Sequence, residues 1–396
     1  MTPKSSKRLA VVVSHPIQYL SPLFRQLATQ VQLKVFYGHR ATPADQQKIG
    51  FGVGFEWDVD LLSGYDSTFL TNKARKPSVA RFNGIDTPEI GSRLDEGRFD
   101  AVLLEGWYLK FLIQAAFAAR RRGIPVFARG DSQLLTPRSP FKRMAKDLFF
   151  PIFLRLFDAA LFAGKRSRAY WEHYRYPPEK MFFSPHGVDT TWFRSRATDQ
   201  ARAERRSRMG YSPETKVALF AGKLIPFKRP LDLVPAIASL RNDGLDARIL
   251  VAGSGQLEGE LKAAAAAARV PINMLGFCNQ SEMPAVYAAA DVLVLPSDGR
   301  ETWGLVANEA LACGRPLVLS DAVGCAPDLA ADEVAGMIFP VGDVAALAQA
   351  IRKVVLEPPV PAAIAAKSNE YSLDTAASGI IQALAAGGKT SPAMAP

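Results

Sequence analysis

Apolar runs alternate with amphipathic stretches along the first half of the chain. Runs rich in β-branched residues predict buried strands, and apolar positions spaced three and four apart predict helices. The predicted strands are 9–13, 33–37, 101–104, 125–128 and 159–163. The predicted helices are 21–29, 109–122, about 140–157 and 167–174. This alternation indicates a parallel, doubly wound sheet, whereas residues 40–90 show no helical period and are predicted to be irregular.

A second series of strands and helices begins near residue 216. Its predicted strands are 217–221, 248–251, 272–275, 292–295 and 317–319. Its predicted helices are 231–242, an alanine-rich helix that ends at 269, 283–289 and 304–313, and a last helix covers about 374–385. The two series meet near 183–193. The fold class predicted from this pattern is α/β, with two doubly wound parallel-sheet domains.

Composition narrows the class of protein. With 396 residues, 48% hydrophobic and 22% charged, the chain can bury substantial cores, which excludes a disordered or fibrous protein. The three cysteines, Cys278, Cys313 and Cys325, show no pairing or zinc-ligand spacing. The apolar run at 9–13 is too short for a signal peptide, and 148–154 is too short to span a membrane. We therefore expect a cytoplasmic protein that is either free in the cytoplasm or peripheral on the inner membrane face.

The basic excess lies in one half of the chain. Residues 1–200 hold 30 basic and 18 acidic side chains, whereas residues 201–396 hold 18 and 20. This asymmetry indicates an anionic partner for the first half: a membrane surface, an acidic acceptor or a nucleic acid. No recognised nucleic-acid motif is present, so nucleic acid is not expected. Residues 139–157 combine a basic start with many aromatics, which fits a membrane-surface helix and a buried helix equally. The basic cluster at 202–208 is predicted to be a solvated helix.

Two carboxylates eight positions apart give the strongest chemical signal. Glu301 is predicted to lie in a loop and Glu309 two turns inside the helix that follows. The helix start between them offers backbone N–H groups to a phosphate, and each carboxylate can accept hydrogen bonds from hydroxyls. This arrangement suits a nucleotide sugar, with phosphate in the middle and hydroxyls at both ends. Taken alone, the pair is equally compatible with no ligand-binding role, in which case Glu309 is a surface residue of the helix and Glu301 a charge in the loop.

A short loop after a predicted strand supplies the second signal. Lys223 and Lys228 lie in the stretch 222–230, between a strand and a helix. Two ammonium groups there can neutralise a diphosphate as point charges. The alternative is that both lysines are solvated loop residues that bind no ligand.

These segments together resemble the family 4 retaining glycosyltransferases, which have the two-domain GT-B fold. The resemblance rests on the basic loop, both carboxylates and the segments 251–255, 275–277, 290–297 and 314–318, with 184–189 similar to the family's interdomain junction. It implies an acceptor-binding domain at 1–186, joined by a helix at about 372–386, and a donor-binding domain at 187–371. A disordered tail is expected at 387–396.

The resemblance also implies roles for individual residues. Lys223 and Lys228 would hold the diphosphate, Glu301 the hydroxyls of the transferred sugar and Glu309 the ribose; Lys223, Lys228 and Glu301 are the expected catalytic residues. Backbone N–H groups around the helix start would face phosphate or sugar. The remaining donor-binding residues implied by the resemblance are Gly222, Gly253, Phe277, Trp303, Gly304 and Leu305.

The sequence departs from the family pattern at several positions. Lys223 replaces the usual arginine, His186 replaces an asparagine of the junction, and Cys325 replaces a loop glycine. On the acceptor side, three residues lie at predicted carboxyl ends of strands, where open α/β sheets bind ligands. They are His15, Glu105 and Asp131. A core or capping role for each is about as compatible with the sequence as an acceptor contact.

The expected activity is transfer of a sugar from a nucleotide sugar to a hydroxyl of a lipid-linked or envelope polysaccharide precursor, with retention of configuration. The donor is a substrate, so no cofactor is expected. No metal is expected either, because the lysines already meet the phosphate charge; the Asp58-x-Asp60 sequence is a weak metal motif. Two alternatives stay open: another GT-B enzyme such as a nucleotide-sugar epimerase, and a non-catalytic nucleotide-sugar-binding homologue.

Overall fold

The computed structural model describes residues 5–43, 47 and 53–387. The first part of the chain forms seven strands. They are β1 (Arg8–Val13), β2 (Gln32–Tyr37), β3 (Asp66–Phe69), β4 (Ala101–Glu105), β5 (Val126–Gly130), β6 (Ala159–Phe162) and β7 (Met181–Phe183). The helices among them are α1 (Leu20–Gln30), α2 (Ile90–Gly97), α3 (Lys110–Arg120), α4 (Pro140–Phe153) and α5 (Lys165–His173).

The second part of the chain forms six strands, which are β8 (Lys216–Ala221), β9 (Ala247–Ala252), β10 (Ile272–Met274), β11 (Val292–Leu295), β12 (Leu317–Ser320) and β13 (Gly336–Phe339). Its helices are α6 (Thr190–Arg196), α7 (Asp199–Arg208), α8 (Leu233–Asn242), α9 (Glu258–Ala267), α10 (Met283–Ala289), α11 (Val306–Ala312), α12 (Ala326–Leu329), α13 (Val344–Leu356) and α14 (Pro361–Glu370). A last helix, α15, covers Leu373–Gly387.

All strand pairs are parallel, in two separate sheets. The orders are β3-β2-β1-β4-β5-β6-β7 and β10-β9-β8-β11-β12-β13. In each sheet the order reverses beside the first strand, so the loops after β1 and β4, and after β8 and β11, diverge to leave a crevice. This arrangement confirms the predicted α/β class with two Rossmann-like domains.

Both faces of each sheet are buried. Along β1, Leu9 and Val11 belong to one apolar cluster and Ala10 and Val12 to another, on opposite faces. A strand covered on both faces must be apolar at every position, which explains its continuous apolar run. The helix α15 packs on the first sheet, where its apolar residues join the cluster that contains Leu9.

The structure corrects three sequence-based expectations. The irregular stretch 40–90 contains β3, a short, half-buried edge strand whose polar residues hide its pairing with β2. The basic helix α7 is not simply solvated, because Arg202 and Arg206 turn inward and bond Asp291. No residue of α4 itself is buried, but Phe150 and Phe153 pack against the core and Phe157, just after the helix, is buried, so 139–157 forms a surface helix with one packed side.

Candidate functional site

The predicted donor residues lie at the carboxyl ends of three neighbouring strands. Gly222 and Lys223 follow β8, Gly253 follows β9, and the segment that contains Glu301 follows β11. Because β8 lies between β9 and β11, these loops meet where the strand order of the second sheet reverses. Open α/β sheets bind ligands at this position.

Two glycines allow the loops after β8 and β9 to touch. A Cβ atom on Gly253 would lie 1.8 Å from the carbonyl oxygen of Gly222, so a larger residue does not fit. The Gly253 N–H donates to the carbonyl oxygen of Gly276 at 2.7 Å, which joins the loop after β10 to the same edge. Close backbone contact therefore shapes this side of the crevice.

The lysine loop and the first carboxylate form one charged cluster. The Lys228 ammonium is ion-paired with Glu301, and both side chains are largely buried. The Ser297 hydroxyl donates to the same Glu301 oxygen at 3.2 Å. Burial lowers the pKa of Lys223, and the nearby Lys228 ammonium lowers it further. Two cations and one carboxylate leave a net positive charge, which favours an anionic ligand.

The second carboxylate, Glu309, lies in a different environment. It is the fourth residue of α11, one turn inside the helix rather than the predicted two, because α11 begins only at Val306. The Tyr287 hydroxyl donates to its Oε2 atom at 2.6 Å. Burial raises the pKa of Glu309 to about 7, although the hydrogen bond from Tyr287 opposes this shift. Its proposed contact with ribose stays a prediction.

Of the residues just before α11, Trp303 packs in the interior, whereas Gly304 and Leu305 shape the backbone at the start of the helix. The Trp303 side chain is buried, and its indole N–H donates to Oδ1 of Asn308 at 2.8 Å. The Asn308 amide in turn donates to the carbonyl oxygen of His186 at 3.0 Å. The Trp303 ring therefore stabilises the domain junction. Gly304 has φ 98°, a conformation that favours glycine, and Leu305 caps the start of α11.

The three acceptor candidates share one cavity in the first domain. His15, Glu105 and Asp131 line a space of about 260 Å³ at the carboxyl ends of β1, β4 and β5. The cavity lies where the strand order of the first sheet reverses, between β1 and β4. The other polar or aromatic residues that line it are Ser14, Tyr19, Trp107, Tyr108, Arg129, Ser132 and His186.

A buried ion pair forms part of the cavity wall. Arg129 donates to Glu105 at 3.1 Å, and both side chains are more than nine-tenths buried. Arg129 also donates to the Ser184 hydroxyl at 3.0 Å and to the Pro185 carbonyl oxygen at 2.7 Å. These bonds tie β5 to the junction between the domains, a role that the sequence did not reveal.

Asp131 connects the cavity to the charged cluster. The Thr302 hydroxyl donates to its Oδ2 atom at 2.8 Å, and Nε2 of His186 lies 3.5 Å away. Burial alone would raise the pKa of Asp131, but its interactions with His186 and Thr302 outweigh burial and hold the pKa below its ordinary value. Since Thr302 follows Glu301 directly, the candidate donor and acceptor sites adjoin.

Other contacts between the domains join residues that the sequence motifs do not mark. The Gln133 amide donates to the carbonyl oxygens of Gly299 and Glu301, each at 3.0 Å. The ring of Phe277 packs against Phe55, with 4.1 Å between the ring centroids. No local motif marks such pairs, because each joins residues far apart in the chain.

The two aspartates of the weak metal motif, Asp58 and Asp60, accept hydrogen bonds from the protein itself. Asp58 accepts a hydrogen bond from the Ser281 N–H at 3.2 Å, across the two domains. Asp60 accepts from the N–H groups of Leu62 and Ser63 at 2.9 and 3.1 Å. In the part of the chain that the structure describes, no group of three or more His, Cys, Asp and Glu side chains could hold a metal ion. The same part contains no helix long and apolar enough to cross a membrane.

Two Rossmann-like domains with adjoining ligand crevices define the GT-B class of fold. The profile of the family "Glycosyl transferases group 1" matches residues 202–371. This match covers less than half of the chain, and it confirms the resemblance to glycosyltransferases drawn from the motifs.

Curated relatives match over the same region. A D-inositol 3-phosphate glycosyltransferase of Segniliparus rotundus is 35% identical over 173 residues, which are 42% of this chain and 37% of that protein. A protein of the same name from Streptomyces scabiei is 33% identical over 220 residues, 52% of this chain and 48% of that protein. The matches thus span less than half the length of these relatives.

Solved structures match the whole fold. A glycosyltransferase from Rickettsia africae has a TM-score of 0.73 and 14% identity, with 98% of this chain and 100% of that chain covered. Anabaena Alr3699/HepE in complex with UDP has a TM-score of 0.71 and 17% identity, with 96% and 100% covered. At such low identity these structures show the fold alone, and they confirm it as GT-B.

Proposed function

We propose that this protein is a retaining, metal-independent glycosyltransferase that moves a sugar from a nucleotide-sugar donor to an acceptor hydroxyl. The observation that carries the proposal is the contact between Thr302 and Asp131, which places the cluster of Lys223, Lys228 and Glu301 beside the polar cavity of the first domain. The family of residues 202–371 supports it. So does the UDP-bound Anabaena structure of the same fold.

The cluster can stabilise the departure of a nucleoside diphosphate. Lys223 and Lys228 would offset the charge that develops on the leaving phosphate, a form of preorganised electrostatic catalysis. A bound diphosphate would draw Lys228 away from Glu301, and the released carboxylate would accept hydrogen bonds from the donor sugar. In a front-face substitution the leaving phosphate itself takes the proton of the acceptor hydroxyl, and the enzyme supplies positioning.

Release of nucleotide from a panel of nucleotide sugars, with and without acceptor sugars, tests this function. We expect turnover with at least one donor and a fall of about 100-fold in kcat/KM for Lys228→Ala, the scale of one lost preorganised contact. Lys262→Ala, which removes an exposed lysine of α9, is the matched control. Binding without turnover would indicate a non-catalytic homologue. Conversion of the nucleotide sugar into its epimer without an acceptor would indicate an epimerase.

The acceptor is proposed to be a lipid-linked or envelope polysaccharide precursor at an anionic membrane surface, because α4 presents an unpartnered apolar stripe. Its exposed large apolar residues are Phe141, Met144, Leu148, Phe149 and Ile152. Lys142 and Arg143 flank the stripe and are exposed. The combination suits shallow insertion beside anionic lipid headgroups.

Not all aromatic residues of 139–157 are placed to enter the membrane. Phe150 and Phe153 pack against the core of the first domain, and Phe157 is buried. The Lys146 ammonium lies over the Phe150 ring at 4.2 Å, and burial lowers the pKa of Lys146 to about 8. These four residues therefore serve packing.

Co-sedimentation with vesicles of phosphatidylglycerol and phosphatidylcholine tests the membrane contact. Binding is expected to require the anionic lipid, to weaken as salt rises, and to fall in the Lys142→Glu/Arg143→Glu variant. Arg121→Glu/Lys180→Glu, a matched change at exposed positions elsewhere in the first domain, controls for net charge. Wild-type protein that stays in the supernatant at low salt would contradict the proposal.

A further inference from the structure

The cavity of the first domain is not basic, although the domain is. Among the described residues that line it, the charged side chains are Glu105, Arg129 and Asp131. These three side chains, counted without the imidazoles, sum to one negative charge. The basic excess of residues 1–200 therefore lies elsewhere, for example on α4, and not among the side chains that line the cavity.

Arg129, the one arginine or lysine among the described residues of the lining, already has its partners. Arg129 is 1% exposed and donates to Glu105, Ser184 and Pro185. An anion that recruited this guanidinium would have to displace a buried carboxylate and loosen the domain junction. Two residues after the lining residue Tyr108 in the chain, the Lys110 ammonium is paired with Asp86 at 2.6 Å. Neither side chain is thus arranged to receive a phosphate.

The helix start beside the cavity is also closed to anions. Helix α1 begins at Leu20, which lines the cavity. The N–H groups of Leu20 and Ser21 both donate to the carbonyl oxygen of Ile17, at 3.0 and 3.1 Å, and the next residue, Pro22, has no N–H. The first turn therefore lacks the set of outward N–H donors that usually binds phosphate at a helix start.

The remaining lining suits hydroxyl groups. The Asp131 carboxylate and the imidazole of His15 can exchange hydrogen bonds with hydroxyls. His186 is 7% exposed: its Nε2 atom lies 3.5 Å from Asp131, and its Nδ1 atom is buried without a hydrogen-bond partner among the described residues. Trp107 and Tyr108 add aromatic surface to the same wall, against which the C–H face of a sugar ring can pack.

From this lining, and given the proposed glycosyltransferase function, we infer that the cavity takes an uncharged polyhydroxyl ring as the acceptor group and rejects its phosphate ester. The acceptor class of this chain then differs from the phosphorylated inositol in the names of its relatives. An anionic group of a lipid-linked acceptor would lie outside the cavity. The negative charge of Asp131 is the main discriminating element, because it repels a phosphate and accepts from a hydroxyl.

A paired acceptor panel tests the inference. With a donor that the protein hydrolyses slowly on its own, transfer is measured to neutral acceptors (glucose, mannose, galactose, myo-inositol, and a short neutral oligosaccharide) and to the phosphate esters of the same rings. We expect kcat/KM for a neutral acceptor to exceed that for its ester by at least about tenfold, the ratio set by one unfavourable charge contact. Asp131→Asn should reduce this ratio several-fold. Asp66→Asn, at a carboxylate paired with Lys34 outside the cavity, should leave the ratio unchanged.

The outcomes separate this inference from the function on which it rests. Preference for a phosphate ester, equal use of both classes, or donor hydrolysis without transfer to any neutral acceptor would overturn the inference while the donor site stands. Absence of donor binding and hydrolysis would instead overturn the proposed function. If Asp131→Asn unfolds, Asp131→Ser provides the same comparison through a smaller side chain, and a ratio unchanged in a folded variant would contradict the role of Asp131.

Discussion

Replacement of Glu309 by glutamine is predicted to stabilise the second domain at neutral and alkaline pH. The Glu309 carboxyl is buried, and the Tyr287 hydroxyl is the hydrogen-bond partner that the structure shows for it. Burial without a cation disfavours the charged form and raises the pKa to about 7 from an ordinary value of 4.5. Glutamine keeps the size and a hydrogen-bond acceptor but has no charge to bury.

The magnitude and sign follow from proton linkage. A shift from 4.5 to about 7 corresponds to about 3 kcal/mol between the protonated and ionised forms. Because the folded state binds the proton more tightly, this stabilisation is fully present below pH 4.5 and is lost as pH rises through about 7. The wild-type protein should therefore lose most of this free energy between pH 5 and pH 8, whereas the Glu309→Gln variant should not.

Urea unfolding of both proteins at pH 5 and pH 8, followed by tryptophan fluorescence, measures the difference. The unfolding free energy of Glu309→Gln minus that of the wild type should be about 2 to 3 kcal/mol larger at pH 8 than at pH 5. Glu258→Gln, on the exposed surface of α9, is the matched control. A gain that is the same at both pH values would refute the assignment of the raised pKa to Glu309.

Two further predictions address packing and metal dependence. Arg206→Ala should destabilise the protein by about 3 kcal/mol, because it removes one of the two guanidinium partners of Asp291 and leaves several carbonyl oxygens without this buried donor; Arg208→Ala, at an exposed position of the same helix, should change the free energy of unfolding little. Transfer activity should persist in EDTA, since Lys223 and Lys228 meet the phosphate charge. Loss of activity that Mg²⁺ or Mn²⁺ restores would contradict this expectation.

The sequence predicted most of the fold because buried parallel strands leave a clear apolar signature. The strand β11 is apolar throughout and β1 and β8 are apolar after their first residue, so their positions and the alternation with helices could be located. The strand β3 was missed, since Asp66, Ser67 and Thr68 form an edge that pairs on one side only. Edge strands lack the two-sided burial on which the signal depends.

The sequence predicted those residues of the candidate site that come shortly after buried strands. Lys228 and Glu301 lie together because both follow neighbouring strands of one sheet. The bonds of Arg129 to the junction and of Thr302 to Asp131 join residues that are distant in the sequence. Such contacts depend on how the two domains close, and no local pattern encodes that closure. For the same reason the basic sequence of the first domain suggested an anionic acceptor, whereas the charges that line its cavity do not.

We propose that Lys223 and Lys228 hold the diphosphate of a nucleotide-sugar donor. Calorimetric titration of UDP, ADP and GDP into the full chain is the decisive measurement, since it needs neither the sugar nor the acceptor. We expect at least one nucleotide to bind, with an affinity at least about tenfold lower in Lys223→Ala and Lys228→Ala because each removes a charge contact to phosphate. The affinity of Glu301→Ala should equal or exceed that of the wild type, because this change frees Lys228 from its partner. Nucleotide binding that is unchanged in both lysine variants would contradict the assignment of these lysines.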